Sequence, residues 1–124
     1  MNQLQEIEIE VCRASGIETE KLFIKSRRRR YARPRQICMF IIRSMNIFNT
    51  LGQIGNHYGH RDHTSAGNSI TVIHKKMYKK DKVLMGIIAK LPNNLKVYFE
   101  TNISIKVIET LSLPIIKFPS VKNR

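Results

Sequence analysis

Tryptophan is absent from this 124-residue chain, and acids are almost absent from its middle. Between residues 21 and 80 there are fourteen Lys and Arg but one carboxylate, Asp62. That segment carries the whole formal charge of +13, because the other eight basic residues meet eight acids. A metal-dependent nuclease or transposase needs several converging carboxylates, so the middle is not built for that chemistry. Cysteine is scarce as well. Cys12 and Cys38 sit in apolar surroundings, which predicts reduced core thiols rather than a disulfide. Neither anchors a nucleophilic triad, so no enzyme is expected. No long hydrophobic run occurs. The longest, residues 83–89, is bracketed by Lys82 and Lys90 and is too short to span a bilayer. The N-terminus carries Glu6, Glu8 and Glu10 where a signal peptide would be basic. These absences predict a soluble protein in a reducing cytoplasm, with no membrane contact.

What is present is a charge both strong and local. Such a field selects a polyanionic partner, most often nucleic acid. Solubility alone needs no such segregation. With 42% hydrophobic residues, the chain can still bury a modest core.

The periodicity predicts an all-α multi-helix bundle over residues 1–94, with a C-terminal extension over 95–124 of unassigned structure. Leu4, Ile7, Val11 and Ala14 make one helical face, ended by Gly16. Thr19 to Phe23 predicts a short helical turn, and Lys25 to Tyr31 a basic loop. Pro34 suits the first position of a helix. That helix runs to about Met45, with Ile37, Ile41 and Met45 inward, Cys38, Phe40 and Ile42 beside them, and Gln36 and Arg43 outward. Thr50 caps a shorter helix with Leu51, Ile54 and Tyr58 inward, and Gly59 suits a left-handed C-cap. Asp62 is a good N-cap for a further helix to about Met77. Helix, glycine-containing turn, helix is the helix-turn-helix pattern. Another helix is expected from Lys80 to Lys90. Beyond Asn94 the pattern is open: Ile103, Ile105 and Val107 alternate as a strand would, while Ile103, Val107 and Leu111 fit a helix. Pro114 and Pro119 predict an irregular tail.

On the helix after Asp62, at about 100° per residue, Ala66, Ile70, Ile73 and Met77 fall within about 60° of one another. Opposite lie Thr64, Asn68, Thr71 and Lys75. All can hydrogen-bond a base edge or a phosphate, and none is acidic, as a helix in a major groove requires. Gly67 costs about 1 kcal/mol against Ala there, which suggests close approach to DNA or to a neighbouring helix. Asp62 can act as N-cap alone, or also accept from cytosine N4. Arg29, Arg30, Arg33 and Arg61 belong to the basic zone and are expected against phosphates, as is Lys75. His57, His60 and His63 recur every third residue, but no Cys or carboxylate pattern completes a tetrahedral site. No metal or other cofactor is expected.

Three segments together resemble the C-terminal DNA-binding domain of the DnaA replication initiators. They are Val11-Cys12-Arg13, Arg33-Pro34-Arg35-Gln36-Ile37, and the stretch from Ile54 to Thr64 containing Gly59-His60-Arg61-Asp62-His63-Thr64. The resemblance covers roughly residues 5–77. It implies that Arg27, or Arg28, enters the minor groove. It places Pro34, Arg35, Gln36 and Arg43 against the phosphate backbone, and Asp62, His63, Thr64 and Ser65 on base edges and a thymine methyl. Its target is a short asymmetric duplex site, the DnaA box, read by a monomer. Ser65 stands where the family usually has a second Thr, and Ala66 and Gly67 stand where aliphatic residues usually follow. The segment around 47–51 is one residue longer. The preferred DNA sequence therefore does not carry over with the fold.

No G-x-x-x-x-G-K-[ST] phosphate loop occurs, so the expectation is a freestanding module without the family's ATPase, of a kind suited to phage or mobile elements as well as bacteria. It would serve replication initiation control or transcription regulation, with a protein partner able to dock on the tail. The competing reading is a basic interaction or structural protein that binds nucleic acid, including RNA, without sequence preference.

Overall fold

A computed structural model describes residues 2–100, and within them every regular element is helical. Helix α1 (Gln3–Ser15) opens with a capping box. Asn2 accepts from the Gln5 amide at 2.8 Å, and Gln5 accepts from the Asn2 amide at 3.2 Å. Gly16 closes it at φ 77°, where its amide and that of Ile17 both reach the Cys12 carbonyl. A 3-10 turn follows (Thr19–Phe23), as the pattern predicts, and buries Leu22.

Helix α2 (Arg29–Met45) departs from expectation. It begins five residues before Pro34, so the last three of the seven residues of the expected basic loop lie in its first turn. Pro34 then sits inside the helix and offers no N–H to the carbonyl of Arg30. The six residues from Ile37 to Ile42 are each at most 1% exposed, a wider face than the expected stripe. A helix apolar all round has neighbours on every side. Here α1, the 3-10 turn and the next two helices along the chain surround it. Each such side chain contributes about 1.5–3 kcal/mol by leaving water.

Helices α3 (Leu51–His57) and α4 (His63–Tyr78) form the helix-turn-helix. Thr50 caps α3 in a second capping box with Gln53. Ala66, Ile70, Ile73 and Met77 are the buried residues of α4, as its periodicity predicts. Helix α5 (Lys82–Ala89) is capped by Asp81, which accepts from the Leu84 amide at 3.0 Å. Residues 93–100 are also helical. Leu95 and Phe99 are buried, and Phe99 stacks on Phe40 at 4.9 Å. Packed structure thus runs past the boundary expected at Asn94. The strand-or-helix alternative at Ile103 to Leu111 and the tail at Pro114 and Pro119 lie outside the described residues.

Cys12 and Cys38 are free and buried. Burial first, then Glu8 and Glu20, pushes the Cys12 thiol up to about 12. Burial raises Cys38 well above its ordinary value. Both thiols stay protonated and unreactive at neutral pH.

One buried acid escaped the sequence reading. Glu8, 7% exposed, accepts the Tyr58 hydroxyl at 2.8 Å, and the same oxygen lies 2.8 Å from His57 Nε2. It fastens α1 to the end of α3. Glu8→Ala would take the carboxylate from both His57 and Tyr58, leaving the buried Tyr58 hydroxyl only its weaker bond with Cys38. A loss of about 2–3 kcal/mol is expected from urea unfolding. In a Tyr58→Phe background the same change should cost less, as a double-mutant cycle would show.

Candidate nucleic-acid interface

The turn between α3 and α4 is held by backbone approach. The Arg61 amide donates to the Gly55 carbonyl at 2.8 Å. A Cβ on Gly55 would stand 2.7 Å from the Asp62 carbonyl oxygen and closer still to that of Arg61. Tyr58 ends α3, and Gly59 (φ 85°) and His60 (φ 60°) then reverse the chain in left-handed conformation. The expected glycine cap therefore falls one residue beyond the helix end. His60 affords φ > 0 beside an Asn56 side chain 2.9 Å from its Nδ1.

Asp62 accepts from the Ser65 amide at 2.8 Å and starts α4 as an N-cap. Hydrogen bonds from Ser65 hold its carboxyl below the usual range. His63, Thr64 and Ser65 are exposed in the first turn, and Asn68, Thr71 and Lys75 are exposed along the same helix. Thr71 donates its hydroxyl back to the Gly67 carbonyl at 2.9 Å, so it can offer a base only its acceptor. Gly67 faces Leu51, whose Cδ1 would lie 3.5 Å from an added Cβ. That is ordinary contact, so the space expected around Gly67 is not a close helix approach.

The basic segment divides in two. Arg27, Arg28, Arg29 and Arg30 are exposed. Arg33, Pro34 and Arg35 are buried instead of lying on the surface as expected for phosphate contacts. The earlier start of α2 accounts for this: these three fall within its second turn, against neighbouring segments. Arg33 donates to Gln36 at 2.7 Å. Arg35 donates to the carbonyls of Leu22 (3.5 Å), Ile24 (3.2 Å) and Ser26 (3.0 Å). Burial first, then the nearby Arg61, draws its pKa down to about 10. Arg61 also donates to the Ile24 carbonyl, at 3.2 Å, and to that of Tyr58. Gly59 leaves room for this bracket, since a Cβ there would meet Arg61 Nη1 at 2.9 Å. Two arginines from distant positions thus clamp one loop. The clamp ties the loop that precedes Arg27 and Arg28 to the turn that leads into α4. Arg43 and Gln36 are half-buried and Lys75 is exposed.

Arg35→Ala should therefore act on the fold as well as on binding. Loss of the forked bonds is expected to cost about 2 kcal/mol of stability in thermal unfolding. Cognate and scrambled duplexes should weaken alike. Arg35→Lys should not restore either, because an ammonium cannot reproduce the fork. Arg28→Ala should leave stability within about 0.5 kcal/mol.

The histidines do not share one centre. His57 is engaged by Glu8 and His60 by Asn56. Among the described residues no three His, Cys, Asp or Glu side chains form a group that could hold a metal ion. No helix there is long and apolar enough to cross a membrane. Two signals could have exposed what the sequence reading missed. Glu8 shares the apolar face of Leu4 and Val11, and Gly55 lies inside a short helix, where glycine is unfavourable.

Comparison with known proteins agrees with this architecture. The model of the bacterial DnaA protein helix-turn-helix matches residues 4–73. The chromosomal replication initiator protein DnaA of Limosilactobacillus fermentum is 35% identical over 72 residues, which are 58% of this chain and 16% of that protein. Its counterpart from Dechloromonas aromatica is 33% identical over 67 residues, 54% of this chain and 14% of the relative. The chain thus matches only a small part of either relative's length. Over more than half of its own length, with the capped α4 and close-packed turn in place, the chain belongs to the bacterial DnaA helix-turn-helix family.

Proposed function

We propose that this chain binds double-stranded DNA sequence-specifically, reading a short asymmetric DnaA-box-like site as a monomer in the cytoplasm. The observation that carries this reading is an acid-free, exposed polar face on α4, together with exposed arginines that follow a loop tied by Arg61 to the turn before that helix. Arg27 or Arg28 enters the minor groove. Asp62, His63, Thr64, Ser65 and Asn68 meet base edges in the major groove. Arg29, Arg30, Arg43, Arg61 and Lys75 supply charge toward phosphates. Arg33, Pro34, Arg35 and Gln36 support the loop and helix start that present this charge. The role is control of replication initiation, or of transcription through the same contacts.

Selection from a random duplex library tests it without assuming the site. The expected result is one short, asymmetric consensus. Titrations against the selected and a scrambled duplex at several salt concentrations should then separate the two by far more than their shared salt slope. Equal binding at every salt concentration would sink the sequence-specific reading and leave nonspecific nucleic-acid binding.

A further inference from the structure

At the C-terminal end of α4, away from Asp62, the start of α2 faces α5 across a cavity of about 310 Å³. Arg29, Arg30 and Arg33 line it from α2, with Lys76 from α4 and Lys90 from the end of α5. Asp81 is the carboxylate in this wall, and it is already occupied. It caps α5 through the Leu84 amide and stands 3.9 Å from Lys76 Nζ. The remaining surface is apolar, from Ala14, Pro34, Val83 and Ile87.

The charge balance of the wall points to a missing anion, since five cationic side chains stand against one carboxylate. The start of α2 adds to it. It has no side-chain cap, and arginines occupy the first turn where acids are favoured. The positive end of the helix dipole thus adds to the charge of these guanidinium groups, which an anion would offset.

We propose that this pocket binds a phosphate group. Arg29, Arg30, Lys76 and Lys90 hold its charge, and Val83 and Ile87 cover the organic part. The volume suits one phosphate with a small body, at the lower end of ligand sites. None of the residues from His63 to Asn68 lines the cavity, so it is separate from the base-reading face. The phosphate belongs either to a small molecule or to duplex backbone beyond the bases that are read. Only the second source rests on the DNA-binding reading.

The test titrates inorganic pyrophosphate into isotope-labelled protein and follows backbone amides by NMR. Saturable shifts are expected at Ser15, Arg29, Arg30 and Lys76. A Lys76→Gln/Lys90→Gln variant should bind about tenfold more weakly or worse. A second arm compares two duplexes sharing one core site, one of them extended by half a helical turn at each end. If the phosphate is part of the duplex, the longer duplex binds more tightly and the double variant loses that gain. The proposal is overturned if pyrophosphate moves residues 63–68 as strongly as the pocket and the double variant changes neither arm. Neither lysine reads bases in the proposed function. Failure here therefore leaves discrimination between selected and scrambled duplexes intact, and failure of base reading leaves the pyrophosphate arm intact.

Discussion

Gly55→Ala is expected to lower the urea midpoint by the equivalent of about 3 kcal/mol at an unchanged m-value. The added methyl would stand under 3 Å from backbone atoms of Arg61 and Asp62, and backbone cannot rotate aside as a side chain can. Either α3 shifts or the turn opens, and the bond from the Arg61 amide to the Gly55 carbonyl is lost in both cases. Because Asp62 starts α4, an opened turn also misplaces the reading face, so duplex affinity should fall even where the variant remains folded. Gly67→Ala is the matched control. An added Cβ there makes ordinary contact with Leu51, and alanine is the better helix former by about 1 kcal/mol. It should leave stability unchanged or raised. Equal, small effects at both positions would refute the close-packed turn.

His63→Ala is expected to reduce discrimination between the selected and a scrambled duplex by about 1–3 kcal/mol, roughly five- to 150-fold in relative affinity. Its side chain is exposed in the first turn of α4, so unfolding free energy should move by no more than about 0.5 kcal/mol. Binding to the scrambled duplex, which rests on phosphate charge, should change little. The companion variant is Asp62→Asn. Asparagine caps as well as aspartate, so α4 should stay intact while an acceptor-only carboxylate becomes an amide. If Asp62 reads a base, the selected sequence shifts at one position. If capping is its sole role, the consensus stays put.

Gly55 also shows why some of this molecule was illegible in one dimension. A glycine inside a short helix signals a constraint, but not the identity of the backbone that presses on it. The arginines make the same point. Arg27 to Arg30 and Arg33 to Arg35 look alike as a basic run. They separate into exposed and buried groups only because α2 begins at Arg29 and turns its second turn inward. Arg35 then finds three carbonyls between nine and thirteen residues away, and Arg61 reaches back thirty-seven residues to Ile24.

Period and cap chemistry are local, and local information fixed much of the architecture. The apolar face of α4, the caps at Thr50 and Asp62, the left-handed Gly16 and the acid-free polar face opposite Ala66 and Ile70 all follow from residues within a few positions of one another. Charge segregation likewise needs only counting. Tertiary structure alone decided which polar groups became structural. Glu8 meets His57 and Tyr58 across 49 and 50 residues, and a buried carboxylate or guanidinium persists only where such distant partners satisfy it. Those pairings depend on how the helices pack around α2, which no window of sequence contains.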